Sequence, residues 1–220
     1  RTFPALADVE TNTAGGSGSS MLLCLDGRKL LIPNLSNDAE YRPSVVLFNA
    51  GEELANAQVT LYDSTGTVVT TVNRSLAPHE MSVITDELRQ DTYSHATALV
   101  EVTSAAGRVM ASGQTAHYGS EDPAAHLAVQ VTEDYANSPD RTKSITEVNW
   151  TSMWVSEVQI IDVTGGASVE AYYSSGAGRR GPFELWASAR GAYSSVTFPN
   201  LLQTMDALDP GSSQYFMTSG

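Results

Sequence analysis

The stretch NAQVTLYDSTGTVVTTV (residues 56–72) decides the fold class of this chain. Ala57, Val59 and Leu61 alternate with polar residues, which is the pattern of a strand with one buried face. Asp63-Ser64-Thr65-Gly66 has the composition of a tight turn, and the Val- and Thr-rich residues 67–72 follow it. Two such runs around an Asp/Gly turn predict a β-hairpin.

The same signals continue on both sides of this hairpin. Further strands are predicted at 30–33, 44–49, 81–84, 98–103, 108–115 and 126–132. Asp86 to Gln90 predicts a single helical turn, and no longer helix is expected anywhere in the chain. The polar, proline-containing segment 133–143 is the best domain boundary.

After this boundary the order of signals repeats. Residues 156–162 are similar to the strand at 44–49, and 167–174, 183–189 and 190–197 follow the order of the hairpin and the next strand. Leu201 to Met205 falls where the helical turn was. A period of about 110 residues indicates tandem domains. We therefore predict a flexible segment at 1–20, a first domain at 21–133 and a second at 144–220, which lacks its last strands.

Composition restricts the partners. The chain has 25 acidic and 12 basic residues and a net charge of −13, which repels phosphate backbones and anionic lipid surfaces. We therefore expect no nucleic-acid partner, and no apolar run reaches the roughly 20 residues of a membrane span. Cys24 is the only cysteine, so no disulfide can form within the chain.

Signals of catalysis and of a cofactor are weak. The spacing of the four histidines fits no zinc signature, and no Gly-x-Ser-x-Gly motif or phosphate-binding loop is present. We predict no catalytic residues and no cofactor. Calcium stays an alternative, because Glu121-Asp122 and Glu133-Asp134 supply carboxylates between the two predicted domains.

Two sets of residues are candidates for binding. Ala5-Leu6-Ala7-Asp8-Val9-Glu10 predicts a short strand before a Gly/Ser-rich tether, and such a strand could complete an open sheet of the next subunit. An aromatic surface is the second candidate, formed by Trp150, Trp154, Tyr172, Tyr173 and Trp186. The competing interpretation is that these aromatic side chains fill the core.

Four motifs carry a resemblance to a family: LIPNL (31–35), YRPSVVLFN (41–49), VTLYDSTG (59–66) and LAPHE (76–80). They resemble the tandem immunoglobulin-like β-sandwich repeats of large secreted bacterial surface proteins. The resemblance covers residues 30–130, and more weakly 144–220.

This resemblance implies two tandem immunoglobulin-like antiparallel β-sandwich domains at the cell surface. The expected function is a non-catalytic extracellular subunit of a surface layer or filament, assembled by β-strand or edge contacts. Copies of the chain itself or other surface proteins would be its partners. An adhesin or carbohydrate-binding stalk module is the alternative.

Overall fold

The computed structural model describes residues 28–117, 124–127, 129–130, 157–175, 178–186 and 191–210. Its Cα positions divide into two compact units, Arg1–Asn137 (unit 1) and Ser138–Gly220 (unit 2). Every described strand pairing is antiparallel. The predicted all-β class is therefore confirmed, and the described residues add one α-helix in unit 2.

Nine described strands build unit 1. They are β1 (Lys29–Asn37), β2 (Tyr41–Asn49), β3 (Ala55–Tyr62), β4 (Val68–Leu76), β5 (Met81–Ile84), β6 (Tyr93–Val102), β7 (Val109–His117), β8 (Ala124–Leu127) and β9 (Val129–Gln130). They form two sheets, sheet I in the order β4-β3-β6-β1-β9 and sheet II in the order β5-β2-β7-β8. A 3-10 helix, Asp86–Leu88, joins β5 to β6.

The two sheets share one hydrophobic core. In β2, Val45 and Leu47 point into it and are fully buried, while Val46 and Phe48 on the other face are half-buried. Sheet I contributes buried residues from β1, β3, β4 and β6, such as Leu30 and Val100. Each fully buried Val, Leu or Ile side chain contributes about 1.5–3 kcal/mol, so this shared core holds the sheets together.

β1 continues past the point where the sequence pattern ends. The pattern predicts an end at Pro33, but the strand runs to Asn37 across a register shift between Ile32 and Leu35. Pro33 has no N–H to donate, and Asn34 adopts a positive φ of 58°. One extra residue in β1 makes a β-bulge, which lets pairing with β6 resume after the proline.

The predicted hairpin is confirmed as β3 paired with β4. Asp63 holds the turn, because its Oδ1 accepts hydrogen bonds from the N–H groups of Thr65 (2.8 Å) and Thr67 (3.0 Å). Burial by itself raises the pKa of Asp63, but the hydrogen bonds from Thr65, Thr67 and Gly66 outweigh it and lower that pKa. Gly66 takes a φ of 87°, which glycine adopts without a steric cost.

The described residues of unit 2 form two antiparallel strand pairs and a helix. β10 (Val158–Asp162) pairs with β13 (Ser194–Phe198), and β11 (Val169–Ser175) pairs with β12 (Gly178–Trp186). The helix α1 (Leu201–Leu208) follows β13. The hydrophobic core of unit 2 comprises Phe183, Phe198, Leu201, Leu202 and Met205.

The helix is longer than the single turn expected from the sequence. Asn200 caps it, since its Oδ1 accepts a hydrogen bond of 3.1 Å from the N–H of Gln203. Leu201, Leu202 and Met205 form its buried face. Among the described residues, no helix has the length and apolar character needed to cross a membrane.

Candidate functional site: an open sheet edge

β5 is the outermost described strand of sheet II, and its described partner is β2 alone. The N–H of Asn49 donates to the carbonyl of Glu80 (2.9 Å), so in the register of β5 with β2 it is Ser82 and Ile84 that direct their backbone polar groups toward β2. The N–H and C=O groups of Met81 and Val83 consequently face away from the sheet. Such groups form a template for another strand.

The side chains of this edge are apolar and exposed. Met81 is 64% exposed and Val83 is 50% exposed. In the register of sheet II, Met81 lies beside Phe48 and Val83 beside Val46, and Phe48 in turn lies beside Met110. These five residues, Val46, Phe48, Met81, Val83 and Met110, are called the β5 surface. Cross-strand neighbours on one face lie close enough to form a continuous apolar patch.

β5 carries none of the side chains that protect natural sheet edges. Its sequence, Met81-Ser82-Val83-Ile84, has no lysine, no other charge and no proline. β4, an outermost strand of sheet I, is different. It carries Arg74, which forms an ion pair with Glu87, and several exposed polar residues. β5 is therefore the described edge best suited to accept a strand.

A buried asparagine holds the turn that leads into β5. Asn49 has no exposed surface, and its Nδ2 donates to the carbonyls of Glu53 (2.7 Å), Leu76 (3.1 Å) and Ala77 (3.0 Å). The carbonyl of Asn49 accepts from the N–H of His79 (3.0 Å), which has a φ of 60°. The side chain of Asn49 thus ties the end of β2 to the end of β4, and its backbone holds the two residues before β5.

The far end of β5 is held by the 3-10 helix. Leu88 is buried in the core, and the hydroxyl of Tyr93 donates to its carbonyl (2.6 Å). Burial raises the pKa of Tyr93; Arg89 acts against this effect and Asp91 adds to it. Both ends of the edge are therefore fixed, and β5 is ordered before any partner binds, which lowers the entropy cost of binding.

The predicted aromatic surface is divided by the fold. Tyr172 is 46% exposed and the guanidinium of Arg179 lies 3.9 Å from its ring centroid, whereas Tyr173 packs against the unit 2 core and Trp186 is only 4% exposed. Successive strand residues point to opposite faces, so Tyr172 and Tyr173 cannot share one surface. Trp150 and Trp154 lie outside the described residues.

Other sequence candidates also lie outside the described residues. These are the strand Ala5 to Glu10 and the carboxylates Glu121, Asp122, Glu133 and Asp134. Within the part of the chain that the structure describes, no group of three or more His, Cys, Asp or Glu residues is placed to hold a metal ion.

Sequence reasoning did not identify the β5 surface. A signal was present, because Met81 and Val83 alternate with Ser82 in a short strand without charge. Periodicity alone could not show which face of β5 is exposed, because both faces carry apolar residues: Met81 and Val83 are exposed, whereas Ile84 on the other face is fully buried.

No protein-family model matches the chain, and no curated protein matches it. A crystal structure of Thermotoga maritima 1070 is similar over 48% of this chain and 96% of its own, with 14% identity and a TM-score of 0.40. Anabaena sensory rhodopsin transducer is similar over 52% of this chain and 93% of its own, with 12% identity and a TM-score of 0.32. Neither likeness is close enough to define a family or a function.

Proposed function

We propose that this chain is a non-catalytic structural protein of the cell exterior that assembles with other chains through the open edge of β5. The observation that carries the proposal is the combination of outward backbone groups and exposed apolar side chains at Met81 and Val83. Its partners are copies of itself or other surface proteins.

The physical basis is β-augmentation. A strand added to β5 satisfies the backbone groups that face outward and covers the β5 surface, so main-chain hydrogen bonds and apolar burial act together. The four-residue edge alone is about 13 Å long at roughly 3.3 Å per residue, which gives a small interface. We therefore expect association in the micromolar range or weaker for a single contact.

The non-catalytic and extracellular parts of the proposal come from the sequence. The spacing of the histidines and the single Cys24 fit no catalytic arrangement. The motifs at 31–35, 41–49, 59–66 and 76–80 resemble repeats of secreted bacterial surface proteins, which serve as spacers, stalks and surface-layer parts.

We further propose that unit 1 is an immunoglobulin-like module. In that fold, strands B and E pair in one sheet and the next strands, C and F, pair in the other. The pairing of β1 with β6 and of β2 with β7 follows this rule. The described strands depart from that order at the sheet edges: β5, the neighbour of β2, comes after β3 and β4 in the chain, and β9, the outer neighbour of β1, comes after β7.

A relationship between the two units is supported by their turns. Ala77 to Glu80 closes with a 3.1 Å hydrogen bond, and Gly191 to Ser194 closes with one of 3.2 Å. The third residue of each turn has a positive φ, 60° at His79 and 62° at Tyr193. Positive φ is uncommon outside glycine, so its recurrence at one turn position favours common descent of the two segments.

Both turns dock on the same kind of residue. The N–H of His79 donates to the carbonyl of Asn49, the last residue of β2, and that of Tyr193 donates to the carbonyl of Asp162, the last residue of β10. Both Asn49 and Asp162 are buried and accept hydrogen bonds from the following loop. This agreement supports the proposal that residues 158–202 repeat the pattern of 45–88.

A matched pair of substitutions tests the assembly function. Val83 and Val68 are exposed by 50% and 52%, and both lie on outermost strands, β5 and β4. Val83→Lys should weaken self-association about ten-fold or more, because it places a charge in the apolar contact, whereas Val68→Lys should leave it unchanged. Light scattering and negative-stain microscopy of the full chain measure both. Equal behaviour of the two variants would contradict the proposed edge.

The strand-donor and adhesin alternatives have separate tests. Removal of residues 1–14 should abolish assembly if Ala5 to Glu10 supply the added strand, and should leave it intact if they do not. The adhesin alternative rests on exposed Tyr172, one ring face of which Arg179 covers. It requires saccharide binding that Tyr172→Ala removes, measured by a glycan array.

A further inference from the structure

We infer that the partner of the β5 edge is the β5 edge of a second copy, with the two strands antiparallel about a two-fold axis at Ser82. The inference rests on the proposed function and names the partner at the same site. Three features of β5 support this contact: its outward backbone groups, the charges that flank it and its apolar surface.

The backbone is self-complementary. The odd-numbered residues Met81 and Val83 direct their N–H and C=O groups outward, and hydrogen-bonded pairs in an antiparallel ladder join two such residues. With the axis at Ser82, Met81 exchanges both hydrogen bonds with the partner's Val83, and Val83 exchanges them with the partner's Met81. The partner's Ser82 then lies opposite Ser82.

Charge disfavours the register that is centred one residue later, at Val83. An axis at Val83 brings Glu80, just before β5, toward the partner's Asp86, just after β5, and symmetry makes this repulsive approach occur twice. With the axis at Ser82, Glu80 lies beside the partner's Ile84, and Asp86 lies beyond the end of the partner's β5. No two carboxylates of the strand and its flanks then face each other, which matters for a chain with a net charge of −13.

The apolar surface is continuous across the axis. Met81 and the partner's Val83 lie on the same outer face as directly opposed neighbours. The β5 surfaces of the two copies, each with Phe48 and Val46 behind the edge strand, then form one patch. The added contact supplies area that a four-residue strand pair lacks on its own.

Cysteine cross-linking tests the register. Residues opposed at a non-hydrogen-bonded position of an antiparallel pair have Cα atoms about 4.5 Å apart, within the range of a disulfide. In a Cys24→Ala background, Ser82→Cys should give a disulfide-linked dimer under mild oxidation. Thr71→Cys, an exposed position on β4, is the matched control and should stay monomeric in a denaturing gel without reductant.

The outcomes separate this inference from the proposed function. Rapid dimer formation by Ser82→Cys alone supports the two-fold contact. If the unmodified chain associates but Ser82→Cys and Thr71→Cys cross-link equally or not at all, the β5-to-β5 contact is wrong and edge assembly with another strand survives. If the unmodified chain stays monomeric at every concentration, the inference and the proposed self-assembly both fail. Circular dichroism of each variant confirms that it is folded.

Discussion

Asn49 is the residue on which the geometry of the β5 edge depends. Its fully buried amide donates to the carbonyls of Glu53, Leu76 and Ala77 and accepts from the N–H of Gly51. Asn49→Ala should lower the free energy of unfolding by about 3 kcal/mol, since each buried group left unpaired costs about 1–3 kcal/mol. Asn73→Ala, at an exposed position on β4, should change it by less than about 0.5 kcal/mol. Urea unfolding followed by far-UV circular dichroism measures both. An equal effect of the two substitutions would contradict the role assigned to Asn49.

Tyr93 gives unit 1 a defined dependence on pH. Its pKa is raised in the folded state, so the unfolded chain loses the phenolic proton first, near pH 10. The neutral Tyr93 side chain therefore makes its full contribution to the free energy of unfolding below about pH 10. This contribution is lost as the pH rises further.

The comparison of the native chain with Tyr93→Phe isolates this effect. At about pH 8 the native chain should be more stable by about 1 kcal/mol, because its hydroxyl donates to the carbonyl of Leu88. At about pH 11 this advantage should fall by about 1.4 kcal/mol. Urea unfolding at the two pH values measures the change, and an advantage independent of pH would show that Tyr93 ionises freely in the fold.

At the scale of elements, the β11–β12 hairpin depends on a close approach of two backbones. A Cβ at Gly181 would lie 2.7 Å from the carbonyl oxygen of Ala171, and the φ of Gly181 is 111°. Gly178 in the same strand has a φ of 121°, but no atom lies within 4 Å of the position that a Cβ would take there. Replacement by alanine would strain the backbone at both glycines, because both have a positive φ. Only at Gly181 would the added Cβ also clash with a neighbouring atom.

Gly181→Ala should therefore destabilise unit 2 by about 3 kcal/mol or more, and Gly178→Ala by about 1–2 kcal/mol. Tryptophan fluorescence reports on this unit specifically, because Trp150, Trp154 and Trp186 all fall within Ser138–Gly220. Equal losses in urea unfolding would mean that the hairpin can move away from the added methyl group.

Local elements were predictable from the sequence, and their partners were not. The hairpin around Asp63 and the strand at Met81–Ile84 depend on neighbouring residues, so alternation and turn composition identified them. The pairing of Lys29 with Glu101 is set by burial across the whole unit, which no local period encodes. Trp186 is 4% exposed and Tyr172 is 46% exposed, although both are aromatic residues of one hairpin, for the same reason.

At the scale of the whole molecule, charge and assembly act against each other. A net charge of −13 keeps separate copies apart over about 8 Å at physiological ionic strength, so short-range contacts must supply the attraction. The β5 surface is apolar, and the register centred on Ser82 avoids opposed carboxylates. Assembly through this edge should consequently strengthen as salt screens the remaining repulsion.

The most direct test of the proposed self-assembly is the molar mass of the full chain in solution. Sedimentation equilibrium from about 1 µM to about 1 mM, at about 0.15 M salt, covers the range in which a small interface associates. We predict a mass that rises with concentration from the monomer of 23.4 kDa to at least twice that value. A mass that stays at the monomer over the whole range would contradict assembly through β5.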